Sequence, residues 1–178
     1  MERIEIPLSK TKIFLLLAGS VVFVVIGLLF AIEPDRFVTP ILRSPGVVRI
    51  AGIAAVLFFG ATGIYGARKI FDKTPGLIID EKGIFDNSNA TSIGLIPWSE
   101  ITAINTAQVM STKFLLIFTR DPELVMQKVT GIKRKLMASN WKMFGTPISI
   151  TSTALKYDFE KLEVLLRKKL QEYGDRTG

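Results

Sequence analysis

The chain has 178 residues, of which 23 are Lys or Arg and 16 are Asp or Glu, and it contains neither Cys nor His. The lack of both residue types excludes disulfides, thiolate and imidazole metal sites, a Cys nucleophile and a Ser-His-Asp triad. The mean hydropathy is +0.36 although 22% of the residues are charged. The apolar residues must therefore be concentrated in one part of the chain.

A first uncharged segment runs from residue 13 to residue 32 and has the length of about 20 residues that an α-helix needs to cross a bilayer. Fifteen of its residues are Leu, Ile, Val or Phe. These side chains contribute at most about −4 to −9 kcal/mol to membrane insertion. No small-x-small cleavage motif follows the segment, which argues against a signal peptide. The sequence therefore predicts a transmembrane helix.

A second uncharged segment, from residue 50 to residue 67, is less apolar and contains four glycines. Small residues four apart let two helices approach closely. Such pairs are Ala51/Ala55, Thr62/Gly66 and Gly63/Ala67, with Gly27/Ala31 in the first segment. They predict a tight hairpin of two transmembrane helices, because a weakly apolar second helix needs a partner and the first is the nearest. The alternative is that the same pairs form the face of a homodimer.

Cations flank the two segments on the sides away from their connection, residues 33–49. They are Lys10, Lys12, Arg68, Lys69 and Lys73. Because cations are enriched in cytoplasmic flanks, we expect a multi-pass protein of the cell membrane with both termini in the cytoplasm. Residues 1–12 form the cytoplasmic N-terminal segment of this arrangement, and the proline-containing connection is a short external loop.

Residues 73–178 have the pattern of a separate domain. Closely spaced apolar runs indicate antiparallel strands, because parallel strands need long crossovers. The predicted strands are 76–80, 83–86, 93–98, 101–109, 114–119 and 148–151. Two helical patterns, 122–129 and 132–140, interrupt the strands after a start signal at Asp121-Pro122.

The last predicted element is an amphipathic helix. Its apolar residues recur at helical spacing, and they are Phe159, Leu162, Leu166, Leu170 and Tyr173. Asp158 is the predicted N-cap, and Glu163 with Arg167 forms a favourable i,i+4 pair. The residues thus predict an α+β fold, in which a helical hairpin precedes an antiparallel sheet of five or six strands that the C-terminal helix covers.

Two stretches carry a resemblance to a known family: Leu77-Ile78-Ile79 with Gly83-Ile84, and Ile96-Pro97-Trp98-Ser99-Glu100-Ile101. They are similar to the strand pattern of bacterial pleckstrin-homology-like (PH-like) domains. More broadly, the chain resembles a family of small, uncharacterised bacterial membrane proteins with two N-terminal transmembrane helices. The resemblance implies a PH-like sheet or split barrel capped by the C-terminal helix. It implies no catalytic residues and no cofactor.

The candidate contact site is a cluster of cations and aromatic residues, Lys128, Lys133, Arg134, Lys135, Trp141, Lys142 and Phe144. Such a cluster suits a segment that lies on anionic lipid headgroups. The alternative is that Leu136, Trp141 and Phe144 pack on the sheet while the cations face water. We interpret Trp98 as an aromatic residue that anchors a strand, and Asp80 and Glu81 as turn residues.

The sequence predicts a non-enzymatic protein, because no acid/base pair, metal site or cofactor motif is present. Its expected partners are the lipid bilayer, with anionic headgroups, and an unknown protein; no nucleic-acid partner is expected. The first interpretation is an interaction module held at the cytoplasmic face of the membrane. The alternative is an accessory or structural subunit of a larger membrane complex, assembled through the helical hairpin.

Overall fold

The computed structural model describes residues 3–174, and the chain divides into two units. The first unit, residues 10–73, is helical. The second unit combines the residues before it with the residues that follow it. The second unit is therefore built from both ends of the chain.

The helical unit consists of α1 (Lys10–Ile32) and α2 (Pro45–Phe71), with a short 3₁₀ helix (Pro34–Phe37) in their connection. At 1.5 Å per residue, the two helices are about 34 and 40 Å long, which exceeds the roughly 30 Å of a bilayer core. α2 begins five residues before its uncharged segment, because the Ser44 hydroxyl accepts a hydrogen bond from the Val47 amide and Pro45 occupies the first turn.

Glycines bring the backbones of α1 and α2 into contact. A Cβ atom added to Gly52 would lie 2.6 Å from the carbonyl oxygen of Gly27 and 2.7 Å from the amide nitrogen of Ala31. Such a distance leaves no room for any side chain. The predicted hairpin, packed along small residues, is confirmed at this crossing.

Most of the apolar surface of the two helices is uncovered. In the most apolar stretch of α1 only 17% is buried, and in the most apolar stretch of α2 only 11% is buried. Leu15 is 64% exposed, Leu57 68% and Phe58 66%. A core helix of a water-soluble domain buries such side chains. Both helices therefore have the length, the composition and the exposed apolar surface of helices that cross a membrane.

The close contact at Gly52 yields a stability prediction. Gly52→Ala should lower the free energy of unfolding by about 1–3 kcal/mol, because the added methyl group overlaps the backbone of α1. The full-length protein in detergent, unfolded by titration with dodecyl sulfate, provides the measurement. Gly60→Ala is the matched control, since no atom lies within 4 Å of its added Cβ. Equal losses in the two variants would contradict the packing.

The second unit contains two antiparallel sheets. The first sheet has the order β1-β2-β3-β4, with β1 at Ile4–Ile6, β2 at Leu77–Ile79, β3 at Gly83–Asp86 and β4 at Gly94–Pro97. The second has the order β5-β6-β7, with β5 at Ile101–Val109, β6 at Thr112–Thr119 and β7 at Ile148–Thr151. Three helices complete the unit: α3 (Pro122–Gln127), α4 (Gly131–Phe144) and α5 (Phe159–Gly174).

The prediction of one sheet with five or six strands is wrong, although its α+β class and antiparallel pairing are confirmed. A 3₁₀ turn, Trp98–Glu100, separates β4 from β5, and β5 then pairs with β6 instead of β4. The strands consequently divide into a four-stranded and a three-stranded sheet, and over residues 3–174 neither sheet closes into a barrel.

The sequence analysis missed β1, which precedes the helical unit but belongs to the first sheet. Ile4 pairs with Ile79, and Ile6 pairs with Leu77. Ile6 is 1% exposed, so its side chain is part of the core. Beyond β1, the Lys156 amide donates to the carbonyl oxygen of Pro7. The available signal was the alternation of apolar residues at positions 4, 6 and 8.

The structure makes the N-terminal strand necessary for the domain that follows α2. Ile6→Ala should destabilise this domain by about 2–5 kcal/mol, because it removes a buried aliphatic side chain. Limited proteolysis of the full-length protein in membranes should then show faster cleavage between residues 74 and 174. Glu5→Ala, at the exposed neighbouring position, should leave the cleavage rate unchanged. Unchanged protection in both variants would show that β1 is dispensable.

The C-terminal helix follows its predicted pattern. Phe159, Leu162, Leu166 and Tyr173 are buried, and Leu170 is half-buried. An Asp158 carboxylate oxygen accepts a hydrogen bond from the Lys161 amide at 3.1 Å, as expected of an N-cap. The predicted pair of Glu163 and Arg167 is also confirmed, at 3.0 Å.

An ion pair between Lys113 of β6 and Glu160 links the start of α5 to the second sheet. The hydrogen bond to Glu160 raises the pKa of Lys113, and the same bond lowers the pKa of Glu160. Both side chains are largely exposed, so the pair orients the helix without contributing much to stability.

Candidate functional site

The α3–α4 segment lies between β6 and β7 in the chain, and apolar residues attach it to the domain. Val125, Met126, Val129 and Met137 are buried. The predicted break between the helices is confirmed, because α3 ends at Gln127 and α4 begins at residue 131. These buried residues determine which side chains of the segment face outward.

The predicted end of the second helix, near Asn140, is four residues early. α4 continues to Phe144 and ends at Gly145, which has a φ of 78°. Glycine adopts this left-handed conformation without steric cost and therefore terminates the helix. The extra turn brings Trp141, Lys142 and Phe144 onto the same helix as the cations before them.

The cations of the predicted cluster have different environments. Lys128, Arg134, Lys135 and Lys142 are exposed. The Lys133 ammonium instead donates a hydrogen bond to the carbonyl oxygen of Ser92 and is half-buried. Lys133 thus fastens α4 to the loop after β3. α4 contains no Asp or Glu, so its exposed cations have no acidic neighbour on their own helix.

The two aromatic residues of the cluster are both half-buried. The ring of Phe144 lies 5.6 Å from the ring of Phe114 in β6, measured between centroids. Phe144 therefore packs on the second sheet, as expected if the aromatic residues serve the fold and the cations face water. Leu136 was expected to pack on the sheet as well, but it is 44% exposed.

The exposed apolar residues of α4 form one stripe. Ile132 is 77% exposed and Met143 is 64% exposed. Together with Leu136 they are spaced four and seven residues apart, which places them within about 40° around the helix axis. We name Ile132, Leu136 and Met143, with the neighbouring Lys135 and Lys142, the α4 surface. The sequence analysis did not include Ile132 in its site, although the helical spacing was visible.

A crevice of about 280 Å³ lies beside the α4 surface, and Leu136 lines both. Three of its polar residues are hydrogen-bonded to one another. The Asn89 amide donates to the carbonyl oxygen of Ser149 at 2.9 Å, and the Asn140 amide donates to the Ser149 hydroxyl at 3.1 Å. These bonds fix α4 against β7 and the loop after β3.

The other singled-out residues have structural roles. Trp98 is 2% exposed, and its indole nitrogen donates to the carbonyl oxygen of Asp80 at 2.8 Å. Its ring stacks on Tyr173 at 5.8 Å between centroids, which confirms that Trp98 anchors the strands to α5. The Asp80 carboxylate accepts a hydrogen bond from the Lys82 amide, so it serves the turn between β2 and β3.

Comparisons with protein-family models, with curated protein sequences and with solved structures found no significant match. The function must therefore be argued from the residues and surfaces of this chain.

Proposed function

We propose that this protein is a non-enzymatic integral membrane protein whose PH-like domain rests on the anionic cytoplasmic leaflet. The helical hairpin anchors the chain, and the α4 surface binds lipid headgroups. The observation that carries this proposal is the α4 surface itself. It combines an exposed apolar stripe with cations that have no acidic neighbour on the helix.

The anchoring role is supported by the uncovered apolar surface of α1 and α2. Their exposed leucines and phenylalanines are stable in hydrocarbon, whereas water would penalise each by about 1.5–3 kcal/mol relative to burial. The backbone of each helix is internally hydrogen-bonded, as the bilayer core requires.

The pairing of β1 with β2 supports placing both ends of the hairpin on one side of the membrane. Ile4–Ile6 precede α1, and Leu77–Ile79 follow α2, yet they are adjacent strands. Two crossings return a chain to its starting side, which this pairing requires. Lys10, Lys12 and Arg68 lie at the ends of the helices on that side, so the cation rule favours the cytoplasm.

The PH-like assignment is supported by the order of the elements. Two antiparallel sheets are followed by a C-terminal helix, as the resemblance implies. The stretch that carries the resemblance, Ile96 to Ile101, leads from β4 through the 3₁₀ turn into β5. The buried Trp98 of this stretch joins the turn to α5.

Docking on lipid is supported by the geometry of α4. Lys135 and Lys142 each precede an exposed apolar residue and lie next to the stripe. Each cation near an anionic leaflet contributes about 1 kcal/mol, and the apolar stripe can enter the headgroup boundary. Several such contributions are enough to hold the domain on the leaflet, because the helices already tether it to the membrane.

A second candidate function is that of an accessory subunit, held in a larger membrane complex by its helices. The specific observation is an apolar groove of about 310 Å³ on the helical unit, beside Gly60 and Gly63. A helix of an integral partner could pack there without displacing α1 or α2. This function does not need the α4 surface, so the two candidates give different results in the lipid experiment below.

Membrane topology can be tested with single cysteines, because the chain has none of its own. Thr39→Cys lies in the connection between α1 and α2, and Gln127→Cys lies in the domain; both positions are exposed. An impermeant maleimide should label Thr39→Cys in intact cells and Gln127→Cys only after lysis. The reverse pattern would overturn the orientation, and labelling of both positions in intact cells, or of neither, would contradict the two crossings.

Lipid docking can be tested on the full-length protein in vesicles, with an environment-sensitive fluorophore on Met143→Cys. The emission should shift to the blue in anionic vesicles and not in neutral ones. Lys135→Gln/Lys142→Gln should weaken docking about 30-fold, because two cations contribute about 2 kcal/mol. The same fluorophore on Gln171→Cys, an exposed position of α5, is the control. An equal emission shift in anionic and neutral vesicles, or a shift that the double substitution does not change, would exclude lipid docking. The accessory role would then remain.

A further inference from the structure

β5 is the longest strand at the edge of either sheet. It has nine residues and pairs only with β6, so its other edge has no neighbouring strand within residues 3–174. The strand is about 30 Å long at 3.4 Å per residue. An edge of this length presents a row of backbone donors and acceptors that can pair with another strand.

The second half of β5 is accessible on both faces. Asn105 and Thr106 are adjacent, point to opposite faces of the sheet and are both exposed. Gln108 and Val109 are also exposed. Both faces of this half therefore carry exposed side chains, while Ala107 is half-buried and α5 contacts part of β5.

β5 also lacks three of the features that protect a free edge. Charged side chains, proline and short length normally prevent edge-to-edge pairing. The nine residues of β5 include no charged residue and no proline, in a chain of which 22% is charged. Its one irregularity lies between Ile101 and Ala103, outside the accessible half.

The sequence of β5 is nearly symmetric about Asn105. Antiparallel pairing of two copies around this residue would place similar side chains opposite each other. The opposed pairs are Ile101 with Val109, Thr102 with Gln108, Ala103 with Ala107, Ile104 with Thr106, and Asn105 with itself. Each pair is matched in polarity or size, and no like charges meet. The symmetry favours a second copy of β5 as the partner, because an unrelated segment would not require a symmetric sequence.

We propose that this protein forms a homodimer in which the β5 edges of two copies pair antiparallel about Asn105. The interface is isologous and joins the two three-stranded sheets into one sheet of six strands. Anchoring of both copies in one membrane raises their effective concentration, so a modest interface is sufficient. The dimer is independent of lipid docking, because it uses no residue of the α4 surface.

Cysteine crosslinking of the full-length protein in membranes tests the register. Asn105→Cys should form a dimer under mild oxidation, because the two Cα atoms at the symmetry axis would be about 5 Å apart, which a disulfide spans. Thr102→Cys is the matched control on the same strand. Two copies of Thr102 would be about 20 Å apart in this register and should not crosslink. Mixing Ala103→Cys with Ala107→Cys should also give a crosslink, because these residues oppose each other in this register.

A charge exchange provides a second, independent readout. Asn105→Lys should remain folded, because the side chain is exposed, and should weaken dimerisation by up to about fivefold by opposing two cations. Co-expression of Asn105→Lys with Asn105→Glu, carrying different tags, should restore co-purification of the two tags. Thermal unfolding of each variant should match that of the unsubstituted protein.

Three results would overturn the proposal. The first is equal crosslinking of Asn105→Cys and Thr102→Cys, which indicates random collision. The second is an Asn105→Cys adduct with the mass of a different protein, which identifies β5 as a site for another partner. The third is co-purification of Asn105→Lys with itself as efficiently as with Asn105→Glu, which places any dimer interface elsewhere.

Discussion

The arrangement of this chain depends on the apolar surface of two helices that pack on each other and leave most of that surface uncovered. The pair crosses at Gly27 and Gly52, where backbone meets backbone, so each helix covers a narrow strip of its partner. The remaining leucine, isoleucine, valine and phenylalanine side chains need an apolar solvent. A bilayer provides this solvent, which is why we place the helical unit in the membrane and assign the binding functions to the domain.

The pairing of β1 with β2 makes the helical unit an insertion within the domain. The first sheet is complete only when Ile4–Ile6 lie beside Leu77–Ile79. The first sheet therefore takes strands from both sides of the helical unit in the chain, and that unit is connected to the domain ahead of α1 and after α2.

The two proposed surfaces use different physical chemistry. The α4 surface combines cations with exposed apolar side chains and recognises a charged boundary without requiring one exact geometry. The β5 edge is uncharged and offers backbone hydrogen bonds, which require strict register. The two proposed surfaces share no residue, so separate substitutions can remove lipid docking and dimerisation one at a time.

The sequence by itself determined the elements that depend on local patterns. The apolar segments predicted α1 and α2, the caps at Asp121 and Asp158 predicted the starts of α3 and α5, and apolar runs predicted six of the seven strands. Only the tertiary structure decided the pairing of β1, because three residues acquire strand character from the partner across the sheet. It also divided the strands between two sheets and turned Phe144 inward and Ile132 outward, since burial depends on contacts between residues distant in the chain.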